Sequence, residues 1–409
     1  MTSTLCLARR LAPDLVALRR RLHRAPEVGL YLPETQATVL ESLAGLDLEV
    51  TTGVGLSSVV AVLRGAAVTG EGRRPVVLLR GDMDALPVTE ETGLEYASER
   101  PGVMHACGHD LHVAGLVGAA RILHELRDEL AGDVVLMFQP GEEGPGGAEP
   151  MVREGLLMAA GRRVDAAYAV HVSSAKKPFG VWSSRSGPLM ASTDEIHVTV
   201  RGRGGHGASP HRAQDPVPAA CEVVLALQSA VTRTFDVFDP VVLTVGRVVA
   251  GTKNNVIPDQ ARLEMTVRTI SPENRTAVVE LVRRVAEGVG SAHGMSADVD
   301  LIEGYPVTVN DSDELDFARG VVSDLFGEER WADLPVPSMG AEDMSFVLEE
   351  VPGAYLKVSA CTVADHTLAD DNHSPRAAFD DAVLPDVAAA LAELALRRTR
   401  APGPGPAGS

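Results

Sequence analysis

Apolar residues recur in distinct rhythms along the chain, and each rhythm predicts an element. Leu11, Leu15, Leu18 and Leu22 return at helical spacing, with Pro13 and Asp14 placed as a first turn, so the N-terminal segment reads as an amphipathic helix. A second helix begins near Pro33 and Glu34. Beyond it, short apolar runs alternate with helical stretches. Residues 76–79, 132–139 and 166–170 read as strands buried on both faces, because no polar residue interrupts their apolar centres. Residues 111–130 and 151–157 read as the helices between them. This alternation implies an α/β domain built on a mostly parallel sheet with helices on both sides.

The rhythm changes near Ser192. Ile196, Val198 and Val200 alternate with polar residues, the period of a half-exposed strand. A helix over about 217–233, strands at 241–249 and 261–270, a helix over 272–288 and a strand at 297–302 follow. The order β-α-β-β-α-β is that of ferredoxin-like α+β units. After Tyr305 the first style returns, with a helix at 315–326, a strand at 355–359 and a last helix from 380 to 397. A small domain over residues 192–304 is therefore expected inside a larger one formed by 1–191 and 305–398. A disordered tail over 399–409 is expected from the Pro/Gly-rich segment beginning at Ala401.

Bulk properties narrow the classes. The 409 residues suit two domains better than one core. A net charge of −19 without a Lys/Arg cluster argues against a nucleic-acid partner. Cys6, Cys107, Cys221 and Cys361 are scattered, which favours a reducing compartment, and hence the cytoplasm, over a disulfide framework. Residues 1–18 lack the apolar run of a signal peptide, and no stretch approaches the ~18 apolar residues of a membrane span.

Acids and histidines collect where the strands of the large domain end. Asp82 and Asp84 follow the 76–79 strand, Glu142 and Glu143 follow the 132–139 strand, and His171 closes the 166–170 strand. In open α/β sheets, sites form outside the carboxyl ends of strands, so these ends point at one crevice. Met104 to His112 is the densest segment. Cys107 and His109 stand one residue apart before a helix, a spacing at which thiolate and imidazole grip one metal or bridge two. Read alone, Cys107 also suits a small core position, and the histidines suit a helix cap. His105 and His112 read as supporting residues. Adjacent Glu142 and Glu143 repel each other unless a cation lies between them; a solvated Gly-rich turn is the other reading of that pair. His171 and His373 are single histidines, strengthened by position.

In the small domain, Gly204 to His211 is a Gly-rich turn carrying His206 and His211, with no lysine to make it a phosphate loop. Asn255 and Arg268 add polar groups. Arg268, at a strand end, suits either a bidentate grip on a carboxylate or a surface ion pair. No G-x-S-x-G elbow and no dinucleotide fingerprint is present.

Taken together, Gly81 to Pro87, Met104 to His112, Gln139 to Gly144, Ala169 to His171, Gly205 to His211, Asn254 to Pro258 and Met339 to Asp343 resemble, in order, the motifs of the M20 peptidase family. The likeness is to its amidohydrolase branch of hippurate and auxin-amino acid conjugate hydrolases, and covers nearly all of residues 12–396. It implies a dinuclear metallohydrolase domain with an inserted lid that forms a homodimer. Cys107 would bridge two divalent metals, with His109, Glu143, His171 and His373 completing their shells. Glu142 would be the general base, and His206 would reach into the partner's site. Asn255 and Arg268 would lie near the substrate carboxylate, and Asp84 and Asp110 would orient ligands. Other branches carry His where this chain has Asp82, and a carboxylate where it has Cys107. Cys and His suit zinc, and the family also works with manganese, cobalt or nickel. The resulting expectation is hydrolysis of N-acyl amino acids. A dipeptidase or aminopeptidase would need a site for a free α-amine. A non-catalytic relative would have lost Glu142 or a ligand, and all of these are present.

Overall fold

The computed structural model describes residues 3–68 and 73–400. The chain forms two compact units. One runs to Gly187 and takes in Val309–Pro335 and the chain from Phe346; the other comprises Pro188–Thr308 and Val336–Ser345.

The first unit holds an eight-stranded sheet. Its strands are β1 Glu49–Thr52, β2 Val59–Arg64, β3 Val76–Asp82, β4 Asp133–Gln139, β5 Ala166–Ser173, β6 Trp182–Ser184, β7 Trp331–Asp333 and β8 Gly353–Ser359, in the order β1-β2-β4-β3-β5-β8-β6-β7. The centre, β4-β3-β5-β8, is parallel. The flanks are mixed: β1, β2 and β6 enter by antiparallel pairings, while β7 lies parallel to β6. β3 and β4 are buried at every position, which is why Val76–Leu79 of the one and Val134–Phe138 of the other read as apolar runs. Their parallel register pairs Asp82 with Gln139 at the carboxyl ends, so the polar segments that follow start level with each other.

Helices Thr4–Arg24, His109–Glu125 and Leu384–Arg400 pack together beside this sheet. Their approach depends on small residues. A Cβ on Gly118 would lie 2.7 Å from Ala388 Cβ and 2.8 Å from Leu15 Cδ1, closer than carbon atoms pack. Leu15, Leu79 and Leu391 are buried in the same core, each contributing roughly 1.5–3 kcal/mol by leaving water.

The second unit contains strands Asp194–Arg201, Val241–Ala250, Gln260–Thr269 and Ser296–Glu303 and helices Pro216–Thr234 and Pro272–Ala292. The expected β-α-β-β-α-β order is the order found. In the sheet, Asp194–Arg201 lies between Gln260–Thr269 and Ser296–Glu303, Val241–Ala250 forms an edge, and all pairings are antiparallel. Along Gln260–Thr269, Ala261, Leu263, Met265 and Val267 are buried in the core while Arg262, Glu264, Thr266 and Arg268 are more open. Arg268 thus stands on the open face.

Several boundaries differ from the sequence expectation. The first helix starts at Thr4, where the Ser3 side chain accepts from the Cys6 N–H, so Pro13 lies inside it rather than in its first turn. The helix expected to reach Leu130 ends at Glu125 and gives way to a 3-10 turn at Arg127–Glu129. Leu126 and Leu130 prolong the apolar spacing beyond the helix itself. The last helix continues through Thr399 and Arg400, and the rest of the expected tail lies outside the described residues.

Candidate metal centre

The level ends of β3, β4 and β5 bring three polar segments together. Asp82 ends β3 and Asp84 follows it. After β4, Gly141 takes φ +78°, a left-handed turn that suits glycine, and Glu142 and Glu143 follow. His171 sits near the end of β5. Two loops complete the cluster. Gly108, at φ +81°, caps the helix that His109 begins, and a Cβ there would meet Val172 Cγ2 at 2.4 Å. His373 is held at φ +72°, unusual for a non-glycine residue.

Cys107 is the hub. Its Sγ lies 3.4 Å from His171 Nε2 and 3.3 Å from His373 Nε2. Glu143 Oε1 is 3.0 Å from His373 Nε2 and 3.9 Å from His109 Nε2. The donor atoms of Cys107, His109 and His171 lie within 4.8 Å of one another, as do those of Cys107, Glu143 and His373. The residues proposed from sequence as metal ligands therefore form two overlapping triads that share the thiol. Glu142 joins His109 and Glu143 in a third group of the same size.

Supporting contacts fix the orientation of these groups. The Glu142 and Glu143 N–H groups donate to the two oxygens of Asp84, at 3.0 Å each. One carboxylate thus sets the direction of both glutamates, and it also lies 3.6 Å from His109 Nδ1. His171 Nδ1 donates to the Val172 carbonyl at 2.6 Å, leaving the Nε2 lone pair toward Cys107. His112, read from the sequence as a supporting residue, has that place here. The Val172 N–H donates to His112 Nε2 at 2.8 Å, so that nitrogen is an acceptor, and Nδ1 carries the proton given to Asp82. His112 thereby ties β3 to the end of β5. The only sequence signal for it is its spacing of one helical turn from His109. Asp110, expected to orient a ligand, instead meets Arg19 Nε and His23 Nδ1, both at 2.7 Å.

The electrostatics are those of a site built for cations. Burial disfavours a charged His109, yet the carboxylates of Asp82 and Asp84 and the Cys107 thiol outweigh it and raise its pKa well above the ordinary value. Among the described residues, neither ring nitrogen of His109 has a hydrogen-bond partner, although both are buried. For His171, burial and the neighbouring His112 push the pKa well down and keep the ring neutral. Hydrogen bonds to Cys107 and Glu143, against burial, raise His373 to about 10. A divalent cation can take the place of such protons. A thiolate, imidazoles and a carboxylate converging on orphaned histidine nitrogens fit divalent metals of the zinc type, with Cys107, His109, Glu143, His171 and His373 as the side chains that would hold them.

The second unit contributes a separate group. Gly205–His206 pairs with Val256–Ile257 in a two-stranded ribbon, and the Gly207 N–H donates to the Asn255 carbonyl at 2.9 Å, which brings His206 and Asn255 side by side. Both are exposed. His206 Nδ1 accepts from the Ala208 N–H at 3.0 Å, so Nε2 carries the proton and is free to donate it. Arg268 is half-buried, and burial, against the charge of Asp194, lowers its pKa. No ion pair or hydrogen bond of its guanidinium occurs among the described residues.

Known proteins agree with this architecture. The chain is 36% identical over 387 residues to thermostable carboxypeptidase 1 of Saccharolobus solfataricus, covering 94% of this chain and 95% of that one. It is 35% identical over 382 residues to an N-acetylcysteine deacetylase of Bacillus subtilis, covering 93% and 96%. The structure of the Bacillus subtilis YXEP protein, described as a dinuclear metal-binding peptidase from the M20 family, superimposes with a TM-score of 0.80 at 31% identity, covering 96% of this chain and 99% of that one. Residues 78–397 match the family described as peptidase family M20/M25/M40. With its motifs in order and its fold shared with a dinuclear metal-binding member, the chain belongs to the M20/M25/M40 peptidase family.

Proposed function

We propose that this protein is a metal-dependent amide hydrolase that cleaves N-acyl amino acids into a carboxylic acid and an amino acid. The observation that carries the reading is the pairing of Glu142 and Glu143 on one carboxylate, Asp84, beside the cluster centred on Cys107. Two adjacent acids held this way take different tasks. Glu143, in contact with His373, is a ligand; Glu142 is the base.

Two divalent cations per chain, zinc or manganese by preference and cobalt or nickel as substitutes, would supply Lewis acidity that draws the pKa of water toward neutrality and polarises the amide carbonyl. Glu142 takes the proton from the attacking water and returns it to the leaving nitrogen. His206 Nε2–H is a donor for charge developing on the carbonyl oxygen. Arg268, a half-buried cation with no ion pair or hydrogen bond of its guanidinium among the described residues, suits the α-carboxylate of the leaving amino acid, with Asn255 as a further polar contact. A carboxypeptidase and an N-acetylcysteine deacetylase share that requirement by name, since both release an amino acid whose nitrogen carried an acyl group. An aminopeptidase or dipeptidase would need an acid for a free α-ammonium. Three of the acids beside the cluster have other work: Asp82 holds Arg80 and His112, Asp84 holds two main-chain N–H groups, and Glu143 holds His373.

The exposed His206 turn lies in the unit proposed as lid and dimerisation domain, over residues 192–304. We take the active form to be a homodimer in which His206 of each copy completes the partner's site. Its four free cysteines suit the cytoplasm, and no described helix is long and apolar enough to cross a membrane. The test is a substrate panel: an N-acetyl amino acid, hippurate, their α-carboxamides and a dipeptide with a free amine. Both acylated acids should be hydrolysed, the carboxamides should show a raised KM, and Arg268→Ala should erase that difference. Preference for the free dipeptide over its N-acetyl form would overturn the reading.

A further inference from the structure

Asn372 precedes His373 in the segment Asn-His-Ser-Pro, and the reaction as described leaves its side chain without a task. The structure gives that side chain contacts to two other stretches of chain, the end of β5 and the segment of Cys107. Its Oδ1 accepts from the Ser174 N–H at 2.9 Å, and Ser174 Oγ in turn donates to the Asp370 carbonyl at 2.7 Å. Its Nδ2 lies 3.1 Å from the Val172 carbonyl, 3.3 Å from the Cys107 carbonyl and 3.6 Å from Cys107 Sγ. One amide therefore joins the residue after His171, the backbone and thiol of Cys107, and the loop that carries His373. The left-handed conformation of His373 shows why such a clamp is needed. That backbone state is uncommon for histidine and persists only where the surroundings over-determine it. The loop is also tied by the His373 N–H to the Ala106 carbonyl at 2.9 Å, by the Glu91 N–H to the Pro375 carbonyl and by the ion pair of Lys176 with Asp371.

We infer that Asn372 is the positioning residue of the metal centre: its Oδ1 holds the loop, while its N–H groups set the distance between the Cys107, His171 and His373 donors and hydrogen-bond the thiolate. This rests on the reading of Cys107 as a ligand. The two ends of the amide do different work, and a carboxylate of the same shape separates them. Asn372→Asp keeps an oxygen for Ser174 but removes both N–H donors. Ser174→Ala keeps its main-chain N–H to Asn372 Oδ1 and leaves the Asn372 N–H groups untouched, but loses the hydroxyl, which reaches the Asp370 carbonyl and, at 3.1 Å, Asn372 Oδ1.

The experiment uses the full chain loaded with Co²⁺, read by its sulfur-to-metal absorption band and by competition with a chelator. Asn372→Asp should shift that band to lower energy, because an N–H donor to sulfur lowers the energy of its lone pair. It should also weaken Co²⁺ retention by about 10–100-fold, the usual effect of losing a residue that supports ligands. Ser174→Ala should lower the melting temperature and leave band and affinity unchanged. Should Asn372→Asp not fold, Asn372→Ala carries the same expectations. A band and an affinity equal to wild type in the folded variant would overturn the assignment. Absence of any sulfur-to-metal band in the wild type would instead strike the ligand reading of Cys107 beneath it.

Discussion

The cluster around Cys107 and the ribbon that carries His206 hold their reactive side chains in opposite ways. In the first unit, Cys107, His109 and Glu142 are buried and His171 has a fixed hydrogen-bond partner. Asp84, His112 and Asn372 lock the surrounding backbone. In the second unit, His206 is exposed on a strand two residues long, and Asn255 is exposed in the turn just before the other, Val256–Ile257. The difference teaches where each kind of chemistry is put. Metal binding needs donors preset to a few tenths of an ångström, which crossed hydrogen bonds at the ends of a buried sheet provide. A donor that meets substrate late in the reaction needs reach, which an exposed Gly-rich turn provides.

Substitutions should therefore separate by region. The largest effect is expected at the paired glutamates. Glu142→Gln should keep metal and fold but lose ~10²–10⁴-fold in kcat, the usual worth of a general base. Glu143→Gln should lower metal affinity first. Steady-state kinetics beside metal analysis of both variants decides, and reversed phenotypes would exchange the two roles.

The next effect tests whether the exposed region acts between copies. Glu142→Ala and His206→Ala should each be inactive alone. When the two are dissociated and reassociated together, a mixed dimer has one whole site, because the His206→Ala chain keeps its own Glu142 and receives His206 from the other. Random pairing should return roughly a quarter of wild-type activity. No recovery, with subunit exchange shown by differently tagged chains, would place His206 in cis or make the protein a monomer.

The smallest effect concerns the buried region's stability. His23 meets Asp110 at 2.7 Å through Nδ1 and Glu90 at 3.3 Å through Nε2. Burial opposes its charge, but Asp110 and Glu90 outweigh burial and raise the pKa. A folded pKa above the unfolded one gives stability that is complete below about pH 6.5 and is lost as pH rises through the folded value. Glu90 runs the other way. Burial opposes its charge, hydrogen bonds from His23 and Thr92 prevail, and its pKa falls to about 2. Its contribution is present above the ordinary carboxylate range and is lost as pH falls toward that value. Melting temperatures from about pH 6 to about pH 9 should fall for the wild type and fall less for His23→Gln. Parallel curves would remove His23 from the account.

Much of this was legible in the sequence, for physical reasons that also mark its limits. β3 and β4 announce themselves because full burial forbids polar residues at their centres. β1 is exposed at every position, and β6 and β7 have three residues each, so no apolar rhythm marks them. Acids and histidines at strand ends mark the crevice, and the likeness to the M20 motifs names the candidate ligands. Asp84 and His112 are named as supports, but what each support would touch cannot be read, and Asn372 is not named at all. Asn372 meets Cys107 across 265 residues and His112 meets Val172 across 60, separations that only the folded sheet closes. Asp110 shows the converse. The family likeness implies a ligand-orienting acid there, while its side chain meets Arg19 and His23.

The central claim is that Cys107 joins two cation sites within one cluster, and metal stoichiometry tests it most directly. The protein, stripped with chelator and titrated with Zn²⁺ or Mn²⁺, should regain activity as elemental analysis approaches two ions per chain, since one thiol, three imidazoles and a carboxylate are too many donors for a single open tetrahedral site. Cys107→Ser should bind less at every concentration, because a hydroxyl is a poor anionic bridge. Full activity at a plateau of one ion per chain would contradict the account.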